Sequence, residues 1–560
     1  MRNEVFRAKA EKGDQEMYRT IKFTLLLLLA AIHLAGAQTR PLTVSNRRTA
    51  VAVAARPGLD TPPPTVRIDA GLVSGAAGAA ADMRVFKGIP FAAPPVGPLR
   101  WRAPQPVKSW KGVRKADQFG SRCMQPNTAG GGRGVAAAGE PATSEDCLYL
   151  NVWTEGASAS ARRPVIVWSH GGAFTIGAGS RNDGEALARK GAVVVTYNYR
   201  LGPFGFFSHP ELTRESGRNA SGNYGLMDLF AVLRWVKQNI AAFGGDPNRV
   251  TLMGQSGGGR LTRAAVAAPQ GRGLFRRAIS QSAPVRIERM LTRAEAETAG
   301  QAEAAKIGAA SLAELRAKPA DEILRGMQGG RLVVDGWYVT EDVSITIAEG
   351  RHNRVDLLVG SNKDEATFVS LFPVSPFFGL ENTTAQQFTD GARRRFGPNA
   401  GAFLDLYPAA TSDDGARASQ RAAVRDEAAW NARDWASAQT RAGGGKAYLY
   451  YFVREPPAPA GQPNRGATHG AEIPYAFNSP AASWTDVDRA LADAMSSYWV
   501  NFATSGDPNG AGLPVWPALQ PTARERLILG AKIEVGPGLD AGRVALFDAV
   551  AIRRSAALKQ

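Results

Sequence analysis

The pentapeptide Gly254-Gln255-Ser256-Gly257-Gly258 has the form G-x-S-x-G. Its position says more than its letters. It follows a β-rich run at residues 249–253 and precedes a run at 260–268 that suits a helix. A tight strand-to-helix turn of this kind uses glycine to relieve crowding around a strained serine and lifts the hydroxyl above the sheet. The N-terminus of the following helix supports developing negative charge. Such a serine can attack an electrophilic carbon, but its hydroxyl is a weak nucleophile and needs a base.

The chain has five histidines: His33, His170, His209, His352 and His469. A serine on this kind of turn is followed in the chain first by its acid and then by its histidine. Only His352 and His469 follow Ser256. His352, in Arg351-His352-Asn353-Arg354, leads into a strand and is expected to be solvated. His469 lies in Ala467-Thr468-His469-Gly470-Ala471-Glu472, after a polar, proline-rich stretch, and is the expected general base. An acid must hold the other imidazole nitrogen. Asp364 and Glu365 both sit just beyond a predicted strand at 355–360, the end of an open α/β sheet where functional residues gather. Spacing alone does not separate them. An oxyanion needs preorganised N–H donors. Ser169-His170-Gly171-Gly172-Ala173-Phe174 follows a predicted strand, and its small residues let backbone N–H groups approach a substrate oxygen. Gly257 adds another N–H. His170 is then scaffold rather than base.

These residues need a sheet to bring them together. The runs at 164–169, 192–199 and 355–360 are short, apolar and rich in β-branched residues, as buried parallel strands are. Residues 226–240 carry apolar side chains at a 3.6-residue period and stop near Phe243-Gly244-Gly245-Asp246-Pro247. Strand, helix and the strand at 249–253 make a βαβ unit. Residues 66–75 alternate like a strand, and 285–351 has helical spacing. Residues 129–142 form a low-complexity Gly/Ala loop, and Gly443-Gly444-Gly445 reads as a flexible joint.

The chain has 560 residues, 44% hydrophobic and 21% charged, a globular composition. Length alone suggests three or four domains. A site spread from Gly171 to His469 requires one large unit instead. Two cysteines exclude a disulfide scaffold and a cysteine-based zinc cluster. The formal charge of +17 brings nucleic acid into consideration. No P-loop, zinc spacing, RNA-binding signature or H-E-x-x-H supports that reading or a metal or cofactor. Of the 67 basic residues 52 are arginine, scattered along the sequence, which favours a solvated surface over a binding patch.

Residues 23–37 form an apolar run of 15 residues after Arg19 and Lys22, too short to span a bilayer, ending in Ala35-Gly36-Ala37. This predicts a signal peptide at 1–37, with Met17 the more ordinary start, and a secreted or periplasmic protein without a stable membrane anchor. A flexible segment at 38–65 and a single catalytic domain at 66–560 are expected to follow. Asn219-Ala220-Ser221 and Asn382-Thr383-Thr384 are glycan acceptors only in a eukaryotic secretory route.

Several segments carry a family likeness. In order they are FKGIPFAAPPVGPLRWRAP (86–104), SEDCLYLNVW (144–153), HGGAF (170–174), NYRLGPFGF (198–206), GNYGLMD (222–228), AAFGGDPNRVTLMGQSGGG (241–259), GSNKDEA (360–366) and ATHGAEIPYAF (467–477). With these the chain resembles the type-B carboxylesterases, the cholinesterase-like branch of the α/β-hydrolases, from about residue 66 to 517. The resemblance implies an α/β-hydrolase fold, with a large, mostly parallel sheet flanked by helices and insertions over the site. It implies hydrolysis of small-molecule esters through an acyl-enzyme, with Ser256, Glu365 and His469 as the triad and Gly172, Ala173 and Gly257 as oxyanion donors. It also implies a disulfide between Cys123 and Cys147. The departures are Gln255 and Gly257, where the family usually has Glu and Ala, and Ala366 for the usual Gly after the acid. Between Cys123 and Cys147 there is no Phe, Tyr or Trp. Without the ring and the Glu charge, recognition of a choline cation loses its basis. Neutral esters are therefore expected over choline esters. Phe174, Phe204, Phe368, Phe372, Phe377 and Phe378 are candidates for an apolar pocket, with core packing the expected role of several. Some relatives are non-catalytic adhesion modules that have lost the nucleophile; this chain keeps a complete candidate triad.

Overall fold

Short β-branched runs build the centre of the molecule. The computed structural model describes residues 64–80, 82–126, 139–156, 158–283, 289–366, 384–409, 412–520 and 524–559. The expected signal peptide, most of the segment at 38–65, most of the Gly/Ala loop, Asn382 and Phe368, Phe372, Phe377 and Phe378 lie outside them.

The sheet strands are β1 (Ala76–Ala77), β2 (Met83–Pro90), β3 (Tyr149–Glu155), β4 (Arg163–Ser169), β5 (Val193–Tyr197) and β6 (Gly245–Gln255). They continue with β7 (Arg277–Gln281), β8 (Asp356–Asn362), β9 (Ala447–Phe452), β10 (Arg526–Leu529) and β11 (Ile533–Gly536). Their spatial order is β11-β10-β9-β8-β7-β6-β4-β5-β3-β2-β1. Every neighbouring pair from β5 across to β10 is parallel. Both margins are antiparallel. β4 and β5 read as nearly continuous apolar runs because both faces are covered. Val165 and Val167 of β4 enter one core, and Ile166 and Trp168 enter the other.

Six helices cover the sheet or bear on the site: α1 (Tyr224–Asn239), α2 (Gly257–Ala267), α3 (Val343–Ala348), α4 (Asp413–Arg441), α5 (Asp486–Ser505) and α6 (Ala541–Lys559). Leu229, Leu233 and Val236 of α1, Leu261 and Ala265 of α2, and Trp435 of α4 pack on the Val165 side. Leu491, Met495, Trp499 and Phe502 of α5 cover the Trp168 side. α5 starts with a capping box between Thr485 and Asp488 and ends at Gly506 in the left-handed region, so both ends are closed locally. A third core joins α4 and α6 through Trp430 and Phe547, with Phe388 and Phe403.

The structure corrects two expectations. Residues 66–75 are not one strand but a hairpin, Thr65–Ile68 against Gly71–Ser74, because the alternation runs on through the Asp69-Ala70 turn. Gly444 and Gly445 are not a flexible joint. A Cβ on Gly444 would stand 2.3 Å from Arg354 Cβ, and one on Gly445 2.2 Å from Val355 O, so these glycines permit close backbone packing. Among the described residues, no helix is long and apolar enough to cross a membrane.

Candidate active site

Ser256 joins β6 to α2 with φ +55° and ψ −118°. A non-glycine residue there is strained and needs its surroundings to hold it. Ser256 N donates to Gln281 O at the end of β7 (2.9 Å), and Arg260 N donates to Ser256 O (2.9 Å). The flanking glycines make room: a Cβ on Gly258 would lie 1.9 Å from Ser169 O, so any side chain there would separate α2 from β4. α2 therefore begins at Gly257, three residues before the run that sequence spacing marks as helical.

The loop expected to supply the oxyanion donors leaves β4. Gly172, Ala173 and Phe174 all have positive φ, at 110°, 54° and 65°. Thr175 N and Ile176 N both donate to Gly172 O, and Gly202 N donates to Phe174 O, so backbone hydrogen bonds from within the loop and from a neighbouring segment hold it. A Cβ built on Gly257 would meet Phe174 N at 3.2 Å and Ala173 N at 3.3 Å, and one on Gly171 would meet Ser256 Cβ at 3.2 Å. The N–H groups of the loop thus crowd against the serine and the first turn of α2. His170 is buried, its ring stacked on Tyr199 (4.4 Å) and its Nδ1 against Gly171 O (2.8 Å). Burial pushes it down to about 4, so it stays a neutral scaffold group at neutral pH.

His469 and Glu365 meet from opposite sides of a long insertion. His469 Nδ1 is 2.5 Å from Glu365 Oε2, and both side chains are buried. Glu365 Oε1 accepts from Asn362 N (2.9 Å). Burial raises the Glu365 carboxyl, but His469 together with hydrogen bonds from Ser282 and Asn362 N outweighs it and holds the group below the ordinary carboxylate range. Asp364 has a different task. Its Oδ2 accepts from Ala467 N (2.7 Å), and its own N–H donates to Ala467 O (3.0 Å), which clamps the histidine loop to the end of β8. On the far edge of the ring, Nε2 lies 3.3 Å from Gln255 Nε2, beside the serine.

Sequence reasoning missed the polar layer beneath. Glu472 Oε2 accepts from Asn362 Nδ2 (2.5 Å), and its Oε1 from Gln281 Nε2 (3.3 Å). Gln281 Oε1 in turn accepts from Trp499 Nε1 (3.1 Å). Burial and the nearby Glu365 charge raise the Glu472 carboxyl. The available signal was an amide residue at the carboxyl end of each of two central strands, Gln281 and Asn362. His352 is a correction: it is buried, not solvated. Asn353 N and Nδ2 both donate to Val266 O, tying this segment to the end of α2 and carrying the ring inward. Phe174 stacks on Phe206 in the core, and Phe204 lies beside the bridge that joins the buried Cys123 and Cys147.

A serine on a strained strand-to-helix turn, a buried histidine–carboxylate pair at the same end of a doubly covered parallel sheet and a glycine loop of N–H donors define an α/β-hydrolase. The chain belongs to the carboxylesterase family, which it matches over residues 62–547. A fumonisin B1 esterase of Sphingopyxis macrogoltabida is 35% identical, covering 90% of this chain and 93% of that protein. A para-nitrobenzyl esterase of Bacillus subtilis (strain 168) is 35% identical, covering 80% and 92%. A solved PNB esterase structure superposes with a TM-score of 0.75 at 31% identity, covering 86% of this chain and 99% of that one. The protein is a carboxylic ester hydrolase.

Proposed function

We propose that this protein is a secreted serine esterase that cleaves neutral carboxylic esters through an acyl-enzyme and disfavours choline esters. The contact that carries the reading is the buried His469–Glu365 pair beside the strained Ser256 turn. In the first half-reaction Ser256 Oγ bonds to the ester carbonyl carbon while its proton passes to His469. Collapse of the tetrahedral adduct breaks the bond to the alcohol oxygen, which takes that proton and leaves. Water then gives a proton to His469 and bonds to the acyl carbon; collapse of this second adduct breaks the bond to Ser256 Oγ, which takes the proton back from His469 as the carboxylic acid leaves. Glu365 holds the imidazole with Nε2 toward the serine. The N–H groups of Gly172, Ala173 and Gly257 receive the oxyanion.

Residues 1–37 are proposed as the cleaved signal, 38–65 as a linker and 66–560 as one catalytic domain. The disulfide agrees with an oxidising compartment. Against choline stand Gln255, neutral beside His469, and the absence of any aromatic residue between the bridged cysteines. A fluorophosphonate should label Ser256, as read by peptide mass spectrometry, and Ser256→Ala should remove both the label and p-nitrophenyl butyrate hydrolysis while leaving the melting curve in place. Full activity in that variant rejects the assignment. Butyrylcholine turnover equal to that of the neutral butyrate rejects the choline reading.

A further inference from the structure

Ser256, Arg260 and Arg263 are spaced by four and three residues, so they follow one another along one face of α2. At 1.5 Å rise per residue, the two arginines stand about 6 and about 10 Å along the axis from the nucleophile. Arg260 lies over the ring of Phe174, next to the oxyanion loop, at 5.0 Å. Both arginines line a cavity of about 190 Å³. Three more arginines reach it from elsewhere in the chain: Arg289, Arg331 and Arg554. Gly330 places Arg331 beside the site, since a Cβ on that glycine would meet Ala173 O at 3.1 Å.

Among the described lining residues, Asp342 is the one carboxylate. It is already engaged, accepting from Met290 N, Ser344 N and Arg554. Arg289 pairs outward with Glu295. Arg263 stands out. It is 3% exposed, and its Nε is buried without a hydrogen-bond partner among the described residues. Its guanidinium lies over the Trp435 ring at 5.2 Å. Burial draws its pKa down to about 10, so it keeps its charge at neutral pH. Asp434 and Asp342 already act on its charge, but the Nε donor stays unmet, and a buried unmet donor on a cation is costly. The cavity wall also offers Leu291, Leu332 and Val343, which would flank a short methylene chain.

We propose that this cavity binds the distal carboxylate of an acyl group, making the enzyme a hydrolase of hemiesters of dicarboxylic acids as well as of neutral esters. The proposal rests on the serine-esterase reading and deepens its acyl specificity. The reacting carbonyl sits at Ser256, and the acyl chain runs along α2. Its far carboxylate meets Arg263 and Arg331.

The test compares mono-p-nitrophenyl esters of glutaric, adipic and suberic acids with p-nitrophenyl esters of unbranched monocarboxylic acids of the same chain length. For at least one length, the wild-type kcat/KM for the hemiester should exceed that for the neutral ester at low salt by about tenfold, and the advantage should shrink as salt rises. In Arg331→Ala the hemiester-to-neutral ratio should fall by about tenfold, and in Arg331→Glu it should drop below one. Arg331 is exposed, so neither variant threatens the fold. Independently of turnover, free adipate should stabilise Ser256→Ala against heat and do so less when Arg331→Ala is added. A wild-type ratio below one at every length, or a ratio that neither Arg331 variant changes, overturns the proposal. If no ester of either charge is cleaved and the fluorophosphonate leaves Ser256 unlabelled, the serine-esterase reading itself falls.

Discussion

Gln255 is the one departure from the family pattern that changes a charge beside His469. Its amide nitrogen lies 3.3 Å from His469 Nε2. Gln255→Glu would put a negative charge there, and an adjacent negative charge favours the protonated ring. Only the neutral ring can accept the serine proton. The acid limb of the kcat/KM profile should therefore move to higher pH in that variant, and an unmoved limb would contradict the placement. Glu365→Gln keeps the size of the side chain but loses the charge that orients and stabilises the imidazole. It should lower kcat by about three to four orders of magnitude on p-nitrophenyl butyrate, with the far-ultraviolet spectrum unchanged. Asp364→Asn is the control. Its oxygen can still accept from Ala467 N, so the loss should be much smaller.

At the scale of elements, the turn between β6 and α2 depends on contacts across the sheet. A Cβ on Gly258 would collide with Ser169 O at 1.9 Å, whereas one on Gly257 meets nothing nearer than 3.2 Å, at Phe174 N. Gly258→Ala should therefore lower Tm and activity together, and Gly257→Ala should do far less, as calorimetry and ester turnover can read. The disulfide closes a segment with a sequence separation of 24. By loop-closure entropy, removing it through the double substitution Cys123→Ser and Cys147→Ser should cost about 3 kcal/mol, read as a lower urea midpoint. An unchanged midpoint would mean that the segment is held by its other contacts.

Across the whole molecule, buried histidines set the response to acid. His170 is drawn by burial down to about 4, and burial lowers His209 and His352 as well. Between the unfolded value of about 6.5 and about 4, the unfolded chain takes up protons that the native His170 refuses. Stability is thus full above about 6.5 and declines as pH falls toward about 4, by about 3 kcal/mol from His170 alone. Urea midpoints at pH 7.5 and 5 test this. The midpoint should fall at the lower pH, by less in His170→Gln, and equal midpoints would exclude it.

Read alone, the residues determined much of this protein because the signals were local. Largely apolar runs at 164–169 and 355–360 require both faces to be covered, and the structure places them at the centre of the sheet as β4 and β8. The glycines around Ser256 and after β4 announce a turn and a loop of N–H donors, since close contact at Gly258 and the positive φ of Gly172 favour glycine there. The order of serine, acid and histidine left His352 and His469, and the loop setting of His469 favoured it as the base. Other features depend on contacts between distant parts of the chain. Spacing could not choose between Asp364 and Glu365. The backbone bridge to Thr468 turns the first toward Ala467 N and leaves the second to His469. His352 looked solvated until the end of α2 was seen to hold its neighbour Asn353. Arginines 260, 263, 289, 331 and 554 looked scattered and surface-bound. Only the packing of α2, α3 and α6 with the segments at 289–291 and 331–332 gathers them around one cavity, because a charge cluster is set by distance in space and not along the chain.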